Sequence, residues 1–371
     1  MGGKLWTTRL IFALSGGGLS TWALLVPYAK VKFHLSDGAL GEVLFLASIG
    51  GVSVMFLAGL AVARWGSRAC VVPTLWVMCL SLPFLAWAPN LGLFTVLLFL
   101  YSANFGMLDV AINAQGAVVE ARSDRLQMSG FHASFSLGTL IVALAAAMLL
   151  NTGMKLEWFC SLCALLIFLG SVQSFKLFPR SCDSASTGKR FVAPNRRAVI
   201  LGLCCFAVFM CEGATTDWST VFLHFSRHMA IENAIFGYAA FTITTVLTRL
   251  TGDRLAVWLG QSSVMRLGVI LALFGFVLVV VIPSGIVGII GFGLVGLGTG
   301  NITPLVFSAA SRVPGMAAHH SVPVVVGIGY VGFLAGPVMI GLVSSHFGLG
   351  SAFAVDAALV GLTLFATRHV A

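Results

Sequence analysis

Charge is scarce in this sequence: 9% of its 371 residues are Asp, Glu, Lys or Arg, where a soluble domain carries about a quarter. A water-facing surface cannot be assembled from so few charges. A chain that is 58% hydrophobic also exceeds what one enclosed core can use. Acidic residues are the rarer sign, 12 against 21 basic ones. The short motifs of soluble chemistry are missing too. There is no HExxH, no GxxxxGK[ST] phosphate loop and no nucleotide-binding domain, which argues against an enzyme, a bound cofactor and an ATP-driven pump. The eight cysteines show no metal-ligand spacing. Cys204, Cys205 and Cys211 share an apolar segment, and the CxxC pair Cys160 and Cys163 also lies in one, so they read as small apolar residues.

Apolar segments take the place of charge. They fall at about residues 10–29, 39–62, 70–88, 92–117, 129–150 and 157–178, then 198–222, 233–251, 264–283, 285–308, 319–344 and 350–367. The opening MGGKLWTTRL runs straight into the first without the pattern of a cleavable signal and is read as its beginning. The expected fold is an all-α integral membrane protein of twelve transmembrane helices. Between the sixth and seventh lies PRSCDSASTGKRFVAPNRR, residues 179–197, dense in charge, Ser and Pro. It reads as a linker between an N-terminal six-helix half, residues 1–178, and a C-terminal half, residues 198–371. An even number of spans puts both termini on one side and makes the halves parallel repeats.

With the N-terminus in the cytoplasm, 17 of the 21 basic residues face inward, and only Lys30, Lys32, Lys155 and Arg227 face outward. The net charge of +9 is therefore the positive-inside bias of a multi-pass protein with both termini cytoplasmic, and implies no nucleic-acid partner. The loop after the second span, GLAVARWGSR, and that after the eighth, TRLTGDRLAVWLG, place basic residues at equivalent points, with Gly66 and Gly252 allowing tight reversals. Pro27, Pro83, Pro304, Pro323 and Pro337 stand inside spans, where bends need cover from protein or a polar cavity.

Polar groups inside spans carry the functional signal. In the fourth span Asp109 stands one turn before Asn113 and a little more than a turn after Asn104, a face that must look into the bundle. Burial there favours the neutral acid and would make Asp109 protonatable near neutral pH. In the seventh, Glu212 and Asp217 bracket Thr215 and Thr216, and could face the Asp109 cluster across a cavity. Trp218 reads as an interfacial anchor. His132, at the start of the fifth span, is a candidate proton relay or a structural residue. Asn301 and Thr303 lie beside Pro304, where a broken helix can present polar groups to a substrate. Gln115, Glu42 and Asp356 are weaker candidates.

These segments together resemble the major facilitator superfamily over essentially the whole chain. Its loop signature GxxxD[RK]xG[RK][RK] is matched by Gly59, Arg64, Gly66 and Arg68, with Ala63 at the acidic position and Ser67 at a basic one. In the C-terminal counterpart Asp253 and Arg254 are kept and Arg249 stands where the first glycine would be. The resemblance implies a conformational latch at these residues, asymmetric between the halves. LDVAINAQG at 108–116, MSGFHASFSLG at 128–138, EGATTDWS at 212–219 and GYVGFLAGPVMIG at 329–341 look like the YbjJ-like bacterial inner-membrane carriers. The resemblance implies a monomeric proton-coupled carrier of a small polar organic solute such as a sugar, working among membrane lipids. Asp109, Glu212, Asp217 and His132 are then candidates for proton coupling, and Asn113, Asn301, Thr215, Thr216 and Trp22 for the substrate. Proton-driven efflux of drugs or metabolites stays open, as does a non-transporting receptor or scaffold.

Overall fold

The computed structural model describes residues 2–121, 127–175, 195–310, 312–316 and 318–370. Most of the linker expected at 179–197 lies outside them. The described residues are helical, with no strand. The helices of the first half of the chain are α1 (Gly2–Lys32), α2 (Asp37–Trp65), α3 (Ser67–Trp87), α4 (Leu91–Ala121), α5 (Met128–Asn151) and α6 (Leu156–Phe175). Those of the second are α7 (Arg196–Phe225), α8 (Ile231–Leu259), α9 (Gln261–Val281), α10 (Gly285–Thr299), α11 (Ile302–Ala310), α12 (Ala318–Phe347) and α13 (Leu349–Leu362), which runs into a 3-10 helix, Thr363–His369. Eleven segments among the described residues are long and apolar enough to cross a membrane, one of them made jointly by α10 and α11. A shorter apolar stretch in α6, Leu156–Val172, completes twelve. The fold is that of a multi-pass all-helical membrane protein. Apolar side chains such as Leu80, Phe84, Leu247, Phe274 and Ile286 are exposed along these helices, as lipid-facing positions require.

Packing groups the chain into two compact units, residues 1–34 with 46–188 and residues 35–45 with 189–371. In the first, α1 lies along α5 and α6, and α3 lies against α4 and α6. In the second, α7 lies along α12 and α13, and α9 lies against α10 and α13. Counting spans, these are the same pairs in each unit. A side chain at Gly138 would collide with the Ala13 carbonyl of α1, and one at Gly332 with the Phe206 carbonyl of α7, so both pairs pack backbone to backbone.

Gly66 has φ 83° and joins α2 to α3, the reversal expected there. The equivalent reversal expected at Gly252 lies elsewhere. Gly252 is inside α8, which runs on to Leu259, and Gly260, with φ 81°, turns the chain into α9. Gly252 is small for a different reason: a side chain there would collide with Asn301.

Candidate functional site

The tenth span breaks at Gly300 and Asn301, between α10 and α11. Pro304 falls in the first turn of α11, where its missing N–H is tolerated. In an unbroken helix the carbonyl of Gly300 would accept from residue 304, and proline has nothing to donate. Arg249 of α8 fills that gap, its Nε donating to the Gly300 carbonyl at 3.3 Å. A second nitrogen of the same guanidinium, Nη2, pairs with Glu212 Oε1 of α7 at 3.0 Å. One arginine thus ties the seventh and eighth spans to the broken tenth. Further along α8, Thr244 donates to the Gly293 carbonyl at 2.7 Å and Thr248 to that of Leu297 at 3.2 Å. These bonds line α8 against the glycine-rich α10 and lead up to the break.

The Glu212–Arg249 pair is only partly covered, the side chains being 16% and 28% exposed. Thr216, also half-buried, donates to the Glu212 carbonyl at 2.7 Å. One turn before Glu212, Phe209 meets Phe333 at 4.8 Å, Tyr330 at 5.7 Å and Phe307 at 6.4 Å between ring centroids. Phe333, Tyr330 and Phe307 are half-buried. The pair, the hydroxyl and the aromatic faces lie together in the second unit. Chemically they offer an ion pair beside flat apolar surface. Sequence reading singled out Glu212 but not its partner, which is 37 residues away; an arginine inside a span was the available signal.

Other candidates are distributed differently. Asn113 donates to the Asp109 carbonyl at 2.9 Å and to its Oδ1 at 3.3 Å, so the pair expected on one face of the fourth span is formed within α4. Asn104 instead ties α4 to α3 through the Thr74 carbonyl at 2.9 Å. Asp217 is half-buried. His132 is exposed, its ring edge-on to Phe12 at 5.6 Å. Trp22 is buried against Phe94 and Tyr101, and Thr215, Asn301 and Thr303 are buried as well. The helix break beside Pro304 is present, yet Asn301 packs on Gly252 rather than opening outward.

Trp218 is not an interfacial anchor: it is 0% exposed, because its face of α7 packs inside the second unit. Among the signature-loop residues Arg64 is exposed and stacks on neighbouring Trp65, and Arg254 is exposed. Gly59 has open space where a side chain would stand. Asp253 lies in α8, but its side chain is outside the described part of the structure. Ser67, at the signature's basic position, donates to the buried Gln115, which ties the start of α3 to α4. The seven cysteines among the described residues are buried and free, and no metal-binding cluster occurs there; Cys182 lies outside them.

Comparison with known proteins agrees with this architecture. Residues 8–330 match the family model of the Major Facilitator Superfamily. An uncharacterized MFS-type transporter of Yersinia pestis is 37% identical over 363 residues, covering 98% of this chain and 94% of the relative. Membrane protein MosC of Rhizobium meliloti is 27% identical, with 99% and 92% covered. Among solved structures, the nucleoside transporter NupG superposes with a TM-score of 0.78 at 14% identity, covering 100% of this chain and 99% of that one. A bacterial homologue of the human lysosomal transporter Spinster superposes with a TM-score of 0.69, also at 14% identity, with 99% and 95% covered. At such identities the superpositions speak for the fold alone. By the family match and the Yersinia relative, the chain belongs to the major facilitator superfamily, a family of membrane transporters and not of enzymes.

Proposed function

We propose that this transporter is a proton-coupled carrier that moves a small polar organic solute, such as a sugar, by alternating access. The observation that carries the reading is the Glu212–Arg249 ion pair. It sits inside spans, partly reachable, and shares its arginine with the carbonyl freed by Pro304. Protonating Glu212 would remove the charge that Arg249 answers, leaving the guanidinium on the Gly300 carbonyl and loosening the seventh span from the tenth. Such a pair couples a proton to a change in helix packing. Asp109, with its carboxyl held by Asn113, is the second proton site, and Asp217 and His132 are auxiliary ones.

Thr216 and the half-buried rings of Phe307, Tyr330 and Phe333 are the proposed solute contacts of the second unit, suited to a molecule with hydroxyls and a flat face, and Asn113 is a separate proposed contact in the first. Trp22, Thr215 and Asn301, buried within their units, shape the spans instead. The exposed Arg64 and Arg254 serve the latch that the loop signature implies. We place the chain in the YbjJ-like branch, in the bacterial inner membrane, as a monomer with both termini cytoplasmic.

Reconstituted into vesicles, the protein should show solute-dependent proton movement, with candidate solutes first selected by the rise in thermal stability that binding produces. Glu212→Gln should lose the pH dependence of transport, and Asp109→Asn should lower the proton flux at least about tenfold, the effect of about 1.4 kcal/mol. Full pH dependence in Glu212→Gln would reject its role, and equal flux in Asp109→Asn would reject that of Asp109.

A further inference from the structure

Buried polar atoms without a hydrogen-bond partner gather on two packed helices of the second unit. On α7 they are the hydroxyls of Thr215 and Ser219 and the indole N–H of Trp218; on α13 they are both carboxyl oxygens of Asp356. Asp356, Thr215, Trp218 and Ser219 are each 0% exposed. Cys211, Thr215, Trp218 and Phe222 are spaced three to four residues apart and share one face of α7. That face meets α13, as the edge-on contact of Phe222 with Phe353 at 5.3 Å shows.

The Cys211 thiol is the titratable group that meets Asp356. Among the described side chains on the elements packed against α13, Asp217 of α7 is a further acid and His224 of α7 meets the Met229 carbonyl. Glu212 of α7 holds Arg249, Arg266 of α9 holds Thr367, and His346 of α12 contacts its own helix at Leu342. On the 3-10 helix, Arg368 and His369 lie beside Arg196 and Arg197 of α7. Among the described residues no cation is paired with Asp356.

We infer that Asp356 is a proton-binding site within the second unit, held as a neutral carboxylic acid beside Cys211 and separate from the Glu212–Arg249 pair. A carboxylate enclosed there would be a buried charge without a counter-charge, which costs far more than burying the neutral acid. When the interface of α7 and α13 admits water, the proton passes to it and a carboxylate remains.

Infrared spectroscopy on the full-length protein in detergent tests this. At neutral pH the wild type should show the carbonyl stretch of a protonated carboxylic acid, and Asp356→Asn should lose that component. A spectrum without the band, or one unchanged in Asp356→Asn, would overturn the inference. If Asp356→Asn does not fold, Cys211→Ser should shift the acid band by changing its neighbour, and an unmoved band overturns the inference.

Discussion

At Arg249 three demands meet in one side chain: a charge to be neutralised, a carbonyl to be satisfied and a long reach from one span to two others. A guanidinium answers all of them because its donors diverge in a rigid plane. Arg249→Ala would leave Glu212 without its cation and Gly300 without its donor. The expected destabilisation is about 3 kcal/mol, the low end for stripping one partner from a buried pair because this pair is partly exposed. Arg249→Lys should lose less, keeping the charge but not the two-point contact. Thermal unfolding of Arg249→Ala, Glu212→Gln and the double variant checks the coupling; strictly additive losses would mean that the two side chains do not support each other. Glu212 was legible in the sequence as a carboxylate in the wrong solvent. Its partner was not, since hydropathy gives the depth of a residue along its own helix and not the neighbour it turns toward.

Helix by helix, local chemistry was the better guide. Pro304 announced a disturbed tenth span, and the break falls just before it, between Thr299 and Ile302. Pro304→Ala restores an N–H that can reach the Gly300 carbonyl and compete with Arg249. It should raise the melting temperature and slow solute uptake by making α10 and α11 one helix; a variant unchanged in both would show that the break has no part in transport. Glycine patterning was less exact. Gly66 makes the reversal expected of it, whereas Gly252 serves packing and Gly260 makes the turn. Gly252 lies within α8 against Asn301, and Gly260 alone of the two takes the positive φ of a reversal. Gly138→Val should cost about 1–3 kcal/mol or more through overpacking of α1 against α5, and recovery of folded protein from membranes measures it. A neutral outcome would mean that the two backbones can separate freely.

For the whole molecule, the scarcity of charge chose the solvent and its distribution chose an orientation. If the positive-inside reading holds, reporters fused to the two termini should both be active on the cytoplasmic face; a reporter active outside at either end would refute it. The membrane fold, the number of apolar segments and the acids stranded within them were all written in the sequence, because each depends on the local transfer of residues from water to lipid. The tertiary structure alone decided which stranded groups have partners. It gave Glu212 an arginine, closed Trp22 and Trp218 inside their units, and left Asp356, a minor candidate by sequence, enclosed with no counter-charge among the described residues. Pairing depends on helix rotation and contact between distant segments, and an apolar period that is nearly continuous around each helix leaves that rotation unspecified.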